Sequence, residues 1–180
     1  MFAALPPLAA VSAEKPYTFG QQSELDYYLV HPMHHVKGVS HGLSGQVSLA
    51  DDHLLLPFGL KLPLLTFNSG NANRDSNAAY ALDVPHFPTS TLDIQQFAET
   101  SRSKDGSGLH LAGRASGRLA LHGLTHTVTI PLQAVVTATK LVVDGEFVVK
   151  LTDYGIPRPS LLFRPVDDEV RVTVHGVATL

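Results

Sequence analysis

The stretch Leu109–Val136 reads LHLAGRASGRLALHGLTHTVTIPLQAVV. Leu109, Leu111, Gly113, Ala115, Gly117, Leu119 and Leu121 share one parity, against His110, Arg114, Ser116, Arg118 and His122. Successive side chains of a β-strand point to opposite faces, so this period of two separates an apolar face from a polar one. His122-Gly123 turns the chain, and Val128, Ile130, Leu132, Ala134 and Val136 then alternate with Thr127, Thr129, Gln133 and Val135. Two long one-sided strands fit a closed antiparallel sheet, apolar inside and wet outside. Gly113, Ala115, Gly117 and Ala134 are small residues on the inward face. They either leave volume inside or let a strand bend, and the sequence supports both equally.

Strand patterns recur on both sides. Upstream lie Lys15–Phe19, Leu25–Val30 with Leu25, Tyr27 and Leu29 on one face, and Leu43–Leu49 with Gly45 as a possible bend. Leu54–Phe67 carries Leu or Phe at every even position from Leu54 to Leu64. Pro57 and Pro63 sit at odd positions, as on an edge or bulged strand. His31–Gly42, HPMHHVKGVSHG, reads as irregular or as a helical turn. Downstream, Leu92 and Ile94 alternate with Asp93 and Gln95, and Lys104–Gly108 is a hairpin loop. Asp144-Gly145 is a strong hairpin-turn dipeptide, followed by Phe147 and Val149 on one face. Val170, Val172 and Val174 alternate in the last strand.

One helix interrupts the strands. In Phe67–Pro88, FNSGNANRDSNAAYALDVPHFP, Ser69-Gly70-Asn71 is turn chemistry. Asn71 or Asn73 can cap a helix. Ala72, Ala78, Ala79, Ala81 and Leu82 favour it, and Val84-Pro85 ends it. The helix is expected over about Asn71–Leu82, with Arg74 and Asp75 in its first turns. About eight or nine short strands, one helix and no βα alternation make the chain all-β, a sandwich or a barrel.

Bulk properties narrow the function. The 180 residues suffice for one domain with a sizeable core. A net charge of −3 with 16% charged residues is no footprint for nucleic acid, nor for a membrane surface read by basic residues. The absence of cysteine excludes disulfides, thiolate catalysis and Cys-based zinc sites. Residues 1–13 are apolar and alanine-rich, with Val11-Ser12-Ala13 as a signal-peptidase site; this predicts a partial secretory signal, with the mature domain spanning 14–180. The apolar start is too short to span a bilayer.

Reactive constellations are few. His31, His34, His35 and His41 share one segment, but no carboxylate or cysteine nearby completes a metal site, and they read as loop histidines. His122 and His126 flank a turn rather than a helix face. No G-x-S-x-G elbow or phosphate loop is present, and Asp153-Tyr154-Gly155 reads as a strand-end turn. Arg74-Asp75 is expected to order its own helix and anchor it to the sheet, rather than to bind a head group.

Several stretches coincide with one family. Ser69-Gly70-Asn71-Ala72-Asn73-Arg74-Asp75, Leu82-Asp83-Val84 and Phe87-Pro88-Thr89 resemble the "TGNAxRD … FDVxxYPT" signature of YceI-like proteins. Leu119–Thr129 resembles their "LTLHGVTHPVT" stretch, and Gly145–Ile156 their "GSFTIKRSDFGI". The resemblance covers about Tyr17–Val177. It implies an extended, eight-stranded, lipocalin-like antiparallel barrel, secreted or periplasmic in a bacterium. It further implies a binding protein rather than an enzyme, with no cofactor apart from an isoprenoid or quinone-type lipid held in the interior. The expected partner is an amphipathic isoprenoid lipid, without nucleic acid or an integral membrane span; homodimerisation is left open. The chain departs from the pattern in its leucine- and proline-rich Leu54–Phe67 strand, in SNAAYAL after Arg74-Asp75, and in Pro157-Arg158-Pro159-Ser160.

The candidate lining is Leu92, Ile94, Leu111, Leu119, Ile130, Leu132, Phe147, Val149, Val172 and Val174, each apolar and in phase with its strand. Two other classes of function stay open at this point. One is an enzyme at the barrel mouth using histidines and a metal; the other is a ligand-free structural or adhesion domain.

Overall fold

A computed structural model describes residues 13–31, 34–161 and 164–180. The apolar start, and with it the expected signal segment up to residue 12, lies outside the described residues. The elements in chain order are β1 (Lys15–Phe19), β2 (Glu24–His31), β3 (His34–Ser40), β4 (Ser44–Ala50), β5 (His53–Leu54) and β6 (Phe58–Pro63). After a 3-10 turn at Leu64–Thr66 come α1 (Ala72–Ala81), β7 (Thr89–Asp105), β8 (Gly108–Leu121), β9 (Leu124–Val136) and β10 (Lys140–Lys150). A second 3-10 turn at Thr152–Tyr154 precedes β11 (Ser160–Leu161), β12 (Arg164–Pro165) and β13 (Glu169–Thr179).

Eight strands close an antiparallel barrel in the order β1-β4-β6-β7-β8-β9-β10-β13, and β13 returns to β1 through Thr18↔Thr179 and Phe19↔Ala178. β2 continues the wall below β1 by pairing with Val170–His175, and β3 pairs with β2. The long alternation holds: Leu109, Leu111, Ala115 and Leu119 of β8 are buried, and Arg114 and Arg118 are exposed. His122 and Gly123 both take positive φ, as a two-residue hairpin turn with the twist of its strands requires.

Two of the small inward residues are bends. A side chain at Gly113 would meet the carbonyl oxygen of Ala98 at 2.5 Å, and one at Gly117 would collide with the Asp93 carbonyl. Both glycines stand where β7 shifts register, between Ile94 and Gln96 and between Glu99 and Ser101. Bulges coil a strand and bring backbones close, and only glycine admits that approach.

Four expectations are corrected. His34–Ser40 is a strand, β3, rather than an irregular segment; Gly38 lies opposite Tyr27, whose ring occupies the space a side chain there would need. Asp144-Gly145 lies inside β10, not in a hairpin. Gly145 faces the crowded Ile130–Leu132 wall, and the turn falls at Thr137–Lys140, closed by Thr137 N–H to the Lys140 carbonyl at 2.8 Å. The Leu54–Phe67 run breaks at Pro57 into β5 and β6 and ends in a 3-10 turn. The alternation at Leu92–Gln95 is only a short part of the long β7, Thr89–Asp105.

Candidate functional site

The interior has two packed regions. Tyr17, Leu49, Leu109, Leu111, Val136, Leu141 and Ala178 fill the end that carries the β7–β8 and β9–β10 turns. Tyr17 is 1% exposed, and its hydroxyl donates to the Thr137 carbonyl at 2.8 Å, so the buried phenol is satisfied. At the other end, Leu151, Tyr154, Ile156 and Val166 pack beneath Leu119, Val149 and Val170. The second 3-10 turn is held there by Asp168, whose carboxylate accepts from Thr152 N–H at 3.0 Å and from the Thr152 hydroxyl at 2.7 Å. The same two bonds, hydroxyl first, hold the Asp168 carboxyl below its ordinary value.

Between these regions lies a cavity of about 490 Å³. Leu92 and Ile94 of β7, Leu119 of β8, Ile130 and Leu132 of β9, Phe147 and Val149 of β10, and Val172 and Val174 of β13 all line it. Leu111 does not: it is 4% exposed in the packed far end. Alternation along a strand names the face of a residue but not its depth. Sequence reasoning left out Tyr27 and Leu29 of β2, Phe58 and Leu60 of β6, Phe67, and the alanines of α1, which also line the space. The even-position leucines of Leu54–Leu64 were the available signal for β6.

α1 spans the mouth. Asn71 has extended backbone, and its side chain accepts from the N–H groups of Asn73 and Arg74 at 3.1 Å, as an N-cap does. Arg74 Nη2 donates to the Ser69 carbonyl and Asp75 accepts from Ser69 N–H, both at 2.9 Å. The neighbouring Asn68 exchanges two backbone bonds with Val39 of β3 at 2.8 and 2.9 Å. Arg74 and Asp75 therefore clamp the helix to a turn that is itself stitched to the sheet. Ala78, Ala79 and Ala81 of the helix face the cavity, as do Asp75 and Ser76; no residue of α1 is buried, and Tyr80 is 86% exposed.

Tyr27 stands near the clamp. Its ring meets Phe67 edge-on at 5.1 Å. Burial pushes its hydroxyl pKa up, Asp75 adds to the rise, and Arg74 opposes it.

His31 and His34 are register partners where β2 meets β3, with His35 next in the strand. The side chains of His31 and His34 lie outside the described residues. His41 Nδ1 donates to the Ser23 carbonyl at 2.8 Å, and His122 Nδ1 to that of Tyr154 at 2.9 Å. His126 stacks edge-on against Tyr154 at 4.9 Å. Among the described residues, no group of three or more His, Asp or Glu could hold a metal ion, and no helix is long and apolar enough to cross a membrane.

The family model for the YceI-like domain matches residues 20–178. The chain belongs to the YceI-like family. This is a binding-domain family. Among solved structures, BcnA of Burkholderia cenocepacia is 19% identical with a TM-score of 0.72, over 88% of this chain and 97% of that one. A polyisoprenoid binding domain from Saccharophagus degradans, implicated in plant cell wall breakdown, is 18% identical with a TM-score of 0.73, over 91% and 97%. A Campylobacter jejuni YceI protein is 13% identical with a TM-score of 0.63, over 81% and 85%. At these identities the likeness is one of fold. No curated protein matches the chain.

Proposed function

We propose that this YceI-like barrel holds the hydrocarbon chain of an isoprenoid or quinone-type lipid in its interior, as a carrier or a sequestering protein, without catalysing a reaction on it. The observation that carries this reading is the cavity: about 490 Å³ of space walled by apolar side chains from eight strands and a helix. An unfilled apolar interior costs stability, because wall atoms lack packing partners. Each methylene buried there gains about 0.8 kcal/mol from leaving water. The polyisoprenoid-binding relative from Saccharophagus degradans supports the lipid class. The apolar segment before Glu14, with small residues at Val11-Ser12-Ala13, supports action in the periplasm or outside the cell. Expressed with its complete native N-terminus in a Gram-negative host, the protein should reach the periplasm and begin near Glu14.

The test is an organic extract of protein purified from a bacterial host without detergent, analysed by mass spectrometry. A prenyl-chain lipid at near-stoichiometric amount is expected. An extract with no lipid, together with no uptake of added isoprenoid, would leave a ligand-free structural domain as the better account.

A further inference from the structure

The cavity is shorter than the barrel. Along β8 it reaches from Leu121 only as far as Ala115, and along β10 only as far as Val143. The next inward residues with bulk, Leu111 and Leu141, belong to the packed end. Phe19, delivered from β1, lines the same deep part of the cavity, its floor, as Ile94, Ala115, Leu132, Val143 and Val174, and its ring and Val143 both lie against Gly176. Gly113 and Gly117 add no depth, because the β7 backbone already occupies the space in front of them. The stretch Ala115–Leu121 runs about 20 Å along its strand, or about 15 Å along the axis of a barrel with ordinary tilt. An extended chain gains roughly 1.2 Å per backbone bond, so an isoprene unit of four such bonds spans about 5 Å and that depth takes about three to four of them.

Polarity is graded along the same axis. Apart from Tyr27, the polar lining residues are Lys61, Asp75, Ser76, Ser90 and Thr91. All belong to the α1 end: Thr91 is paired with Lys61, and the Ser90 hydroxyl donates to the Ala120 carbonyl beside the β8–β9 turn. The floor offers no side-chain hydrogen-bonding group. A polar head group buried there would lose its bonds to water without replacement, whereas a hydrocarbon end loses none.

Resting on the isoprenoid-binding reading, we propose that the barrel takes its ligand tail-first and only to a depth of about three to four isoprene units. The ω-end meets the floor formed by Phe19, Ile94 and Ala115, and the head group and any further units stay at α1. Chain length beyond that depth contributes nothing to affinity.

The experiment is a dissociation-constant series on the full chain with geraniol, farnesol, geranylgeraniol and solanesol. Affinity should rise by roughly tenfold or more per unit up to farnesol or geranylgeraniol, then change by less than about threefold to solanesol. Ala115→Leu should move the break one unit shorter, and Val143→Phe narrows the same floor from the opposite wall if the first variant does not fold. Farnesol with a fluorophore on its head oxygen should bind, and farnesol with the fluorophore at the ω-end should bind at least about tenfold more weakly. A steady rise through solanesol, or preference for the ω-labelled probe, overturns the proposal while leaving the isoprenoid reading intact. No binding at any length removes both.

Discussion

The two ends of this barrel are built from the same alternating strands and finished in opposite ways. At the end with the β7–β8 and β9–β10 turns, Tyr17 and Leu49, brought by β1 and β4, share one packed cluster with Leu109, Leu111 and Leu141, and none of the five lines the cavity. At the other end the interior is crossed by α1, which contributes alanines and buries no residue. Inward alternation thus makes a wall in both places. Whether the wall encloses a core or a cavity depends on which bulky side chains arrive from elsewhere in the chain. A full end supplies the stability that lets the other end remain open.

The largest effect is expected at Leu111, in the packed end. Leu111→Ala should destabilise the protein by about 2–5 kcal/mol, because it removes packed bulk that cannot collapse. Denaturant unfolding measures this, and ligand affinity of the folded variant should not change. Lost affinity at unchanged stability would place Leu111 at the ligand rather than in the core.

A smaller effect is expected at the helix clamp. Arg74→Ala removes the bond to the Ser69 carbonyl and should cost about 1–3 kcal/mol. Affinity measured on the folded variant should stay near the parent value. Unchanged stability with lost binding would make Arg74 a head-group contact.

The smallest expected effect is a pH dependence at the second 3-10 turn, which packs at the α1 end of the cavity. The Asp168 carboxyl is held below its ordinary value of 3.8, by the Thr152 hydroxyl and then by Thr152 N–H. A depressed carboxyl binds its proton more weakly folded than unfolded, so its stabilisation is full above about pH 4 and is lost as pH falls through the depressed value. Melting temperatures of the parent and of Asp168→Asn should therefore differ at neutral pH and converge in acid. A gap that persists unchanged to the lowest pH at which the parent folds would separate the stability of this turn from the carboxylate.

Much of this architecture could be read from local patterns. β8 and β9 were visible as one-sided alternation, because both strands face water outside and apolar contacts inside. The helix was visible because Asn71 is a cap and the alanines follow it; its observed limits, Ala72–Ala81, sit one residue inside the expected ones. β3 escaped because its polar residues give no alternation, and Gly38 is explained only by the Tyr27 ring across from it. Asp144-Gly145 has the composition of a turn, yet pairing with β9 and β13 on both sides keeps it in a strand, and Asp144 meets His175 at 2.6 Å. The depth of the cavity was invisible for a related reason. Tyr17 and Phe19 close it from β1, far away in sequence, and no local period reports where they land.

On the proposed function, a prenyl chain lies in the open half of the barrel against residues such as Phe147. The most direct measurement is the affinity of geranylgeraniol for the parent and for Phe147→Asp, with folding of both verified by circular dichroism. A carboxylate placed in the apolar path must lose its water or exclude the chain. The account predicts a folded variant with binding weakened by about a hundredfold or more. Binding of equal strength to both proteins would mean that the lipid sits elsewhere, and would contradict the account.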